Sequence, residues 1–252
     1  MSTQRTDTLR QIGRGIAGAL LIAVIWELSA RGFNLPAYVL PSVSSILSGL
    51  VSDAGNLLDA TAFTAGEAIA GYVIGCAIGM SLAVLVTIIP AARGVVLPLA
   101  TAINSVPVVA YSPLVLLWFG MGMTSKVVMV AIAVSFTIFL STIAGLDRID
   151  RKTVDLIRSF GAGQFAIVWR LRLPTALPLI IAGMRVSTVR SVLVAIVTEM
   201  LGAYGGLGWV IYQAVLQIDF IKVWAAIIVA STISLVFFGA ISFVERRYVF
   251  WR

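Results

Sequence analysis

The sequence predicts an all-α fold, a polytopic membrane protein of about six transmembrane helices. Hydrophobic residues fill 60% of the 252 positions and charged residues only 12%, a balance outside the range of water-soluble domains. Six stretches, near 14–31, 62–89, 95–119, 126–146, 177–200 and 222–245, meet or approach the roughly 20 apolar residues that a bilayer-crossing helix needs. Six crossings put both chain ends on one face. That face collects thirteen of the eighteen basic residues: Arg5, Arg10, Arg14, Arg93, Arg148, Arg151, Lys152, Arg158, Arg170, Arg172, Arg246, Arg247 and Arg252. The other face has Arg31, Lys126 and Lys222, while Arg185 and Arg190 fall inside a span. By the positive-inside rule, residues 1–14, the 147–176 loop and the C-terminus are expected on the cytoplasmic side of the membrane.

Taken in order, the apolar run from Ile16 to Trp26 resembles a secretory signal, but no small-residue cleavage site follows, so it reads as a retained first span. The 32–61 loop is external by this count. Within it Ser42 caps a helix after Pro41, and Val43, Ile46, Leu47, Leu50 and Val51 share one face at i, i+3, i+4 spacing. An external amphipathic helix on the membrane surface is expected. In the third span, Pro107 and Pro113 each remove an amide donor and leave carbonyls in need of partners. Asn104, Ser105, Tyr111 and Ser112 lie among them, and Ser135, Thr137 and Ser141 add hydroxyls in the fourth. Singly these are ordinary packing or kinking residues; together they outline a polar lining. The chain contains no internal repeat, and transport paths commonly run between two related halves, so a second subunit is expected to supply the other half.

Charges inside spans cost about 3 kcal/mol on insertion scales and are functional candidates by default. Glu27, Glu67 and Glu199 lie near the outer ends of their spans, where they are expected to reach water. Arg185, about 10 Å beyond Pro178 along a helix, can snorkel to the cytoplasmic interface. Arg190 lies deeper, and its partner is expected on another span, on a second subunit or in a solvated cavity. "GAYGGLGWV" (202–210) has the look of a phosphate loop, but after a span on the external side it reads as a re-entrant or tight turn.

The segment "DLIRSFGAGQFAIVWRLRLP" (155–174) combines charge with two apolar faces, Leu156, Ile157 and Phe160 before the glycines and Phe165, Val168 and Trp169 after them. Two short amphipathic helices are expected. Gly161 and Gly163 would let the chain reverse between them, and Pro174 would stop the second. Such a pair either rests on the bilayer surface or docks a soluble partner.

The same segment resembles the EAA loop of permease subunits of bacterial ATP-binding cassette importers, whose pattern is Glu-Ala-Ala, three residues, Gly, nine residues, Ile-x-Leu-Pro. Asp155 stands for Glu, Leu156 and Ile157 for the alanines, Gly161 for Gly and Leu171 for Ile, with Leu173-Pro174 unchanged. "PLATAINSVPVVAYSPLVLLWFGMG" (98–122), "STIAGLDRID" and "GMRVSTVRSVLVAIVTEMLGAYGGLGWVIYQA" are similar to the aliphatic sulfonate, taurine and nitrate permease group, and the likeness runs over roughly residues 33–250. Asn104, Glu67 and Thr137 depart from that group, where Arg, a basic residue and Pro are frequent. The resemblance implies a single permease domain over 1–252 acting as a homodimer. Its partners would be two ATPase subunits that carry ATP and Mg²⁺ and an external solute-binding protein. Cargo would be a small organic or inorganic anion or a thiamine-precursor-like heterocycle. It further implies that Asp155, Arg158, Phe160, Gly161, Ala162, Gly163, Phe165, Trp169, Leu173 and Pro174 form the ATPase-coupling element. The candidate translocation path is Asn104, Tyr111, Ser112, Ser135, Thr137, Ser141, Arg190 and Glu199.

Other classes are disfavoured by what the sequence lacks. Lys126, Lys152 and Lys222 are the only lysines, and none follows a glycine, so there is no Walker A loop and no nucleotide site of that kind in this chain. Zero histidines and the single Cys76 leave no metal set, no catalytic residue and no intrachain disulfide. The excess of basic charge follows topology, so no nucleic acid is expected as partner. The alternative from another class is a secondary transporter driven by an ion gradient, which would ordinarily need a central acidic residue.

Overall fold

The computed structural model describes residues 2–248, and Arg252 of the charge count lies outside them. The chain forms α1 (Ser2–Gly32), α2 (Val43–Ser52), α3 (Ala54–Ile88), α4 (Pro90–Ser105), α5 (Val108–Phe119), α6 (Met123–Leu146), α7 (Arg151–Ser159), α8 (Gln164–Ile167), α9 (Leu173–Leu201), α10 (Leu207–Leu216) and α11 (Phe220–Tyr248). A π-helical turn, Val168–Arg172, joins α8 to α9. No strand occurs among the described residues. Among the described residues, five helices are long and apolar enough to cross a membrane: Gly13–Gly32, Ala54–Ile88, Met123–Leu146, Gln164–Leu201 and Phe220–Arg247. A sixth crossing requires the bent pair α4 and α5.

That pair corrects the continuous third span expected over 95–119. The helix breaks at Val106 and Pro107 and the axis turns by 96°. Proline lacks an amide hydrogen and pushes the residue before it toward extended backbone, and Val106 has φ −79° and ψ 126°. Pro98 and Pro113 sit inside helices without breaking them. A second correction concerns Pro174, the expected end of a helix. The chain instead runs helically from Gln164 to Leu201. Pro174 lies in the first turn of α9, beside the π-helical turn, where a missing N–H removes little.

The chain divides into two compact units. One comprises residues 1–57 and 210–228. In it Ser42 caps α2 by accepting the Ser45 N–H, as expected, and the α2 face splits between buried Ile46 and exposed Leu47 and Val51. Glu27 ties α1 to the α2 entry by accepting the Ser44 hydroxyl at 2.8 Å, and pairs with Arg31 at 2.6 Å. Trp26 donates its indole N–H to the Pro41 carbonyl at 2.9 Å and meets Trp224 edge-on at 4.6 Å. Lys222 pairs with Asp53 at 2.8 Å.

The other unit comprises residues 58–209 and 229–252. Its core joins Ala68, Tyr72 and Cys76 of α3 with Met129, Val130, Val134 and Ile138 of α6 and Val192 and Ala195 of α9. Lipid tails are as apolar as these side chains, so close packing rather than water expulsion holds spans together. Gly71, Gly75 and Gly79 form a ridge on α3 against α6; a Cβ at Gly79 would lie 2.4 Å from the Ser135 carbonyl oxygen. Any larger residue at these positions forces the helices apart. Further along α6, Gly183 of α9 packs against Ser141.

Candidate functional site

The break between α4 and α5 opens on a cavity of about 240 Å³. Asn104 and Tyr111 reach it from either side of the break, Ser135 and Phe136 from α6, and Arg190 from α9. Arg190 donates to the Asn104 side-chain oxygen at 2.8 Å and to the Thr137 hydroxyl at 3.3 Å. Its partners are therefore other spans, one of the three alternatives the sequence left open. Both acceptors are neutral, and no carboxylate among the described residues forms an ion pair with it. A guanidinium has five N–H donors. With two acceptors in place, it keeps donor capacity for an anion entering the cavity.

The remaining candidates of the path fall elsewhere. Ser112 is buried and donates to the Val109 carbonyl of its own helix at 2.9 Å. Ser141 serves the α6–α9 contact. Glu199 belongs to a different polar cluster, and here the expectation that Glu67 and Glu199 reach water is corrected: both are buried, Glu199 completely. Glu199 accepts the Thr64 hydroxyl at 2.7 Å and the Gly208 backbone N–H at 2.7 Å. The first N–H groups of a helix have no partner within it, and the helix dipole favours negative charge there, so a carboxylate at the start of α10 satisfies both. Of the 202–210 stretch expected as a re-entrant or tight turn, residues 202–206 are non-helical while 207–210 begin α10, and the side chain received at the start of that helix is the chain's own Glu199. Gly208 also leaves room for that approach, since a Cβ there would lie 2.7 Å from the Glu199 Cβ.

Lys126 completes the cluster. Counted in the sequence on the external face, it is fully buried, donating to the Met121 carbonyl and, at 2.6 Å, to that of Gly202. It faces Glu67 and Glu199 electrostatically, and Glu67 adjoins Glu199. Arg185, expected to snorkel to the cytoplasmic interface, pairs with buried Glu245 near the C-terminal end of α11 at 3.0 Å and stacks over Phe238 at 5.4 Å. Neither the Lys126–Gly202 nor the Arg185–Glu245 contact has a local sequence signal, because the partners are more than fifty residues apart.

Of the two short amphipathic helices expected in the 151–174 segment, the first forms as a separate helix and the second does not. α7 spans nine residues with Asp150 as its N-cap, whereas α8 is one turn that continues into α9. Val168 is corrected from the outward face to the interior, along with Ile167. Leu156, Phe160, Phe165 and Trp169 stay outside, and Phe160 keeps 80% of its surface exposed. Phe165 and Trp169 lie together at 5.8 Å between ring centroids. Gly161 adopts φ +86°, which an L side chain strains to reach, while Gly163 has an ordinary φ of −74° and open space where a Cβ would stand. Ala162 closes the turn between them by donating its N–H to the Ile157 carbonyl. Asp155 and Arg158 pair loosely at 3.7 Å. Arg158 also donates to Gln164 at 2.9 Å, and Gln164 donates to the Thr87 carbonyl at the end of α3 at 3.2 Å. Leu173 and Pro174 lie in the first turn of α9.

Residues 75–250 match the family described as binding-protein-dependent transport system inner membrane component. The formylaminopyrimidine transport permease protein ThiX of Halalkalibacterium halodurans is 33% identical over 237 residues, covering 92% of this chain and 93% of that protein. The taurine transport system permease protein TauC of Escherichia coli K12 is 27% identical over 248 residues, covering 92% and 87%. Among solved structures, an amino acid ABC transporter crystallised with histidines superposes with a TM-score of 0.65 at 20% identity, over 79% of this chain and 97% of that one, a likeness of fold.

Proposed function

The chain belongs to the family of binding-protein-dependent transport system inner membrane components and is a multi-pass permease subunit of an ABC importer, and on that premise we propose how it works and what it carries. Two copies form an alternating-access path. Two ATPase subunits, which hold ATP and Mg²⁺, dock on the α7–α8 pair from the cytoplasm, and an external solute-binding protein delivers the cargo. Both chain ends face the cytoplasm; with Lys126 buried, the opposite face keeps only Arg31 and Lys222, which deepens the basic asymmetry behind that orientation.

The observation that carries this reading is the outward display of Leu156, Phe160, Phe165 and Trp169 on a segment braced to α3 through Gln164. Aromatic side chains left in the open beside a glycine turn suit a partner's cleft, and the brace couples any push on them to a span. ATPase closure moves the permease only if the docked contacts differ in free energy between its two states. Cargo is a small solute with an anionic group, such as a sulfonate, taurine or nitrate, or a related heterocycle, passing the Arg190 cavity.

Proteoliposomes containing this chain, its ATPase subunits and its binding protein test the reading. ATP-dependent uptake is expected, with Asp155→Arg and Gly161→Trp abolishing uptake while leaving membrane insertion intact. Unchanged uptake in both variants, or accumulation of solute by the chain without a nucleotide hydrolase, rejects it.

A further inference from the structure

A second cavity, of about 480 Å³, lies where several spans end. It is lined by the end of α3, the start of α4, the loop after α6, α7 and the lead-in to α9, and it concentrates charge of one sign. Arg93, Arg151, Arg158 and Arg172 line it against a single carboxylate, Asp147. That carboxylate is already taken: Arg93 grips it with two hydrogen bonds, at 2.6 and 3.2 Å. Arg158 is shared between Asp155 and Gln164. Arg151 and Arg172 form no ion pair among the described residues, and the Arg172 Nε is buried without an acceptor.

A guanidinium N–H removed from water without an acceptor is costly, so the Arg172 Nε calls for an acceptor, and the surrounding arginines favour one that is negatively charged. Topogenic charge alone does not account for it, because charges that only set orientation need no cavity and are best left in water. The planar fork of arginine matches phosphate oxygens two at a time. The ends of spans are also where a bilayer places its headgroups. We propose that this cavity binds a phosphate group, supplied by the headgroup of an anionic phospholipid in the adjoining leaflet. Gln164 lines the same cavity and links Arg158 to the end of α3. A bound headgroup therefore stiffens the seat of the α7–α8 pair.

The test uses the full chain purified in detergent micelles and titrated with short-chain phosphatidylglycerol, short-chain phosphatidylcholine or inorganic phosphate, with binding read by native mass spectrometry and by fluorescence. Saturable binding of phosphatidylglycerol that weakens with added salt, and none of phosphatidylcholine, is expected. Arg151→Gln with Arg172→Gln should raise the Kd at least tenfold. Arg148→Gln with Arg170→Gln removes the same charge outside the cavity and should leave the Kd within about twofold, an estimate from the screening of exposed charge. Arg151→Gln alone, at an exposed position, should still raise the Kd several-fold if the double variant unfolds. Equal losses in both double variants point to a diffuse basic surface and overturn the site. Binding of inorganic phosphate without phosphatidylglycerol overturns the lipid source, and failure of the unaltered chain to bind either overturns the proposal entirely.

Discussion

Two polar groupings in the same helical unit, one buried and one half-buried, treat charge in opposite ways. At the Glu199 cluster both carboxyl oxygens of Glu199 and two of the three N–H donors of Lys126 have fixed partners: a hydroxyl, the first turn of α10 and two carbonyls. At the Arg190 cavity the cation leans on two neutral acceptors and faces open space. A buried polar group whose partners come from several elements holds those elements in place, here the 202–206 turn against α3 and α9. A charge with unspent donors beside a cavity is disposed to meet something that arrives. Residue type alone does not distinguish the two; the share of donors left over does, one of three on Lys126 against three of five on Arg190.

Removing one member of the closed cluster should produce the largest effect. Glu199→Ala leaves the α10 start and Lys126 without their carboxylate, and a loss of about 3–5 kcal/mol is expected, visible as a lower Tm in detergent. Glu199→Gln keeps an acceptor for Thr64 and should cost less, about 1–3 kcal/mol. If both variants melted like the unaltered chain, the contrast between the two groupings would lose its basis. Arg190→Gln should reverse the pattern. Glutamine still reaches a neutral acceptor, so the Tm should move by no more than about 1 kcal/mol equivalent, whereas uptake should fall at least tenfold, about 1.4 kcal/mol. A large Tm loss with undiminished uptake of folded protein would make Arg190 a structural residue like Glu199.

The smallest effect belongs to the partly exposed pair in the other unit. The Lys222 ammonium beside Asp53 holds its carboxyl below the ordinary carboxylate value of 3.8. A depressed folded-state pKa contributes stability that is present above the unfolded value and is lost as pH falls through the folded one. Unfolding measured from pH 5 down to pH 2 should therefore lose this contribution below about pH 4. Partial exposure limits it to under about 1 kcal/mol, and Asp53→Asn should remove that part of the pH dependence.

How much of the molecule is legible in the sequence varies with the range of the interaction involved. The Ser42 cap is readable because a cap needs only the residue and its next turn. Gly71, Gly75 and Gly79 recur at every fourth position, a pattern of close helix packing that the sequence makes available. The hydrophobic lengths of the crossings are readable too, but they mark the apolar part and not the helix, so α3 begins before its expected span and α9 is entered from Gln164.

Composition and local periodicity are enough for an all-α membrane protein, because apolar length and backbone self-satisfaction in lipid permit little else. The spacing of the 155–174 segment also points to the family without any tertiary information. Tertiary structure alone decided that Glu67, Glu199 and Lys126 are hidden together, that Arg185 meets Glu245, and that the proline-bearing third span bends by 96° around the space Arg190 faces. The physical reason is that satisfaction of a charge depends on partners brought from distant parts of the chain, and a linear pattern carries no record of which donors and acceptors will meet.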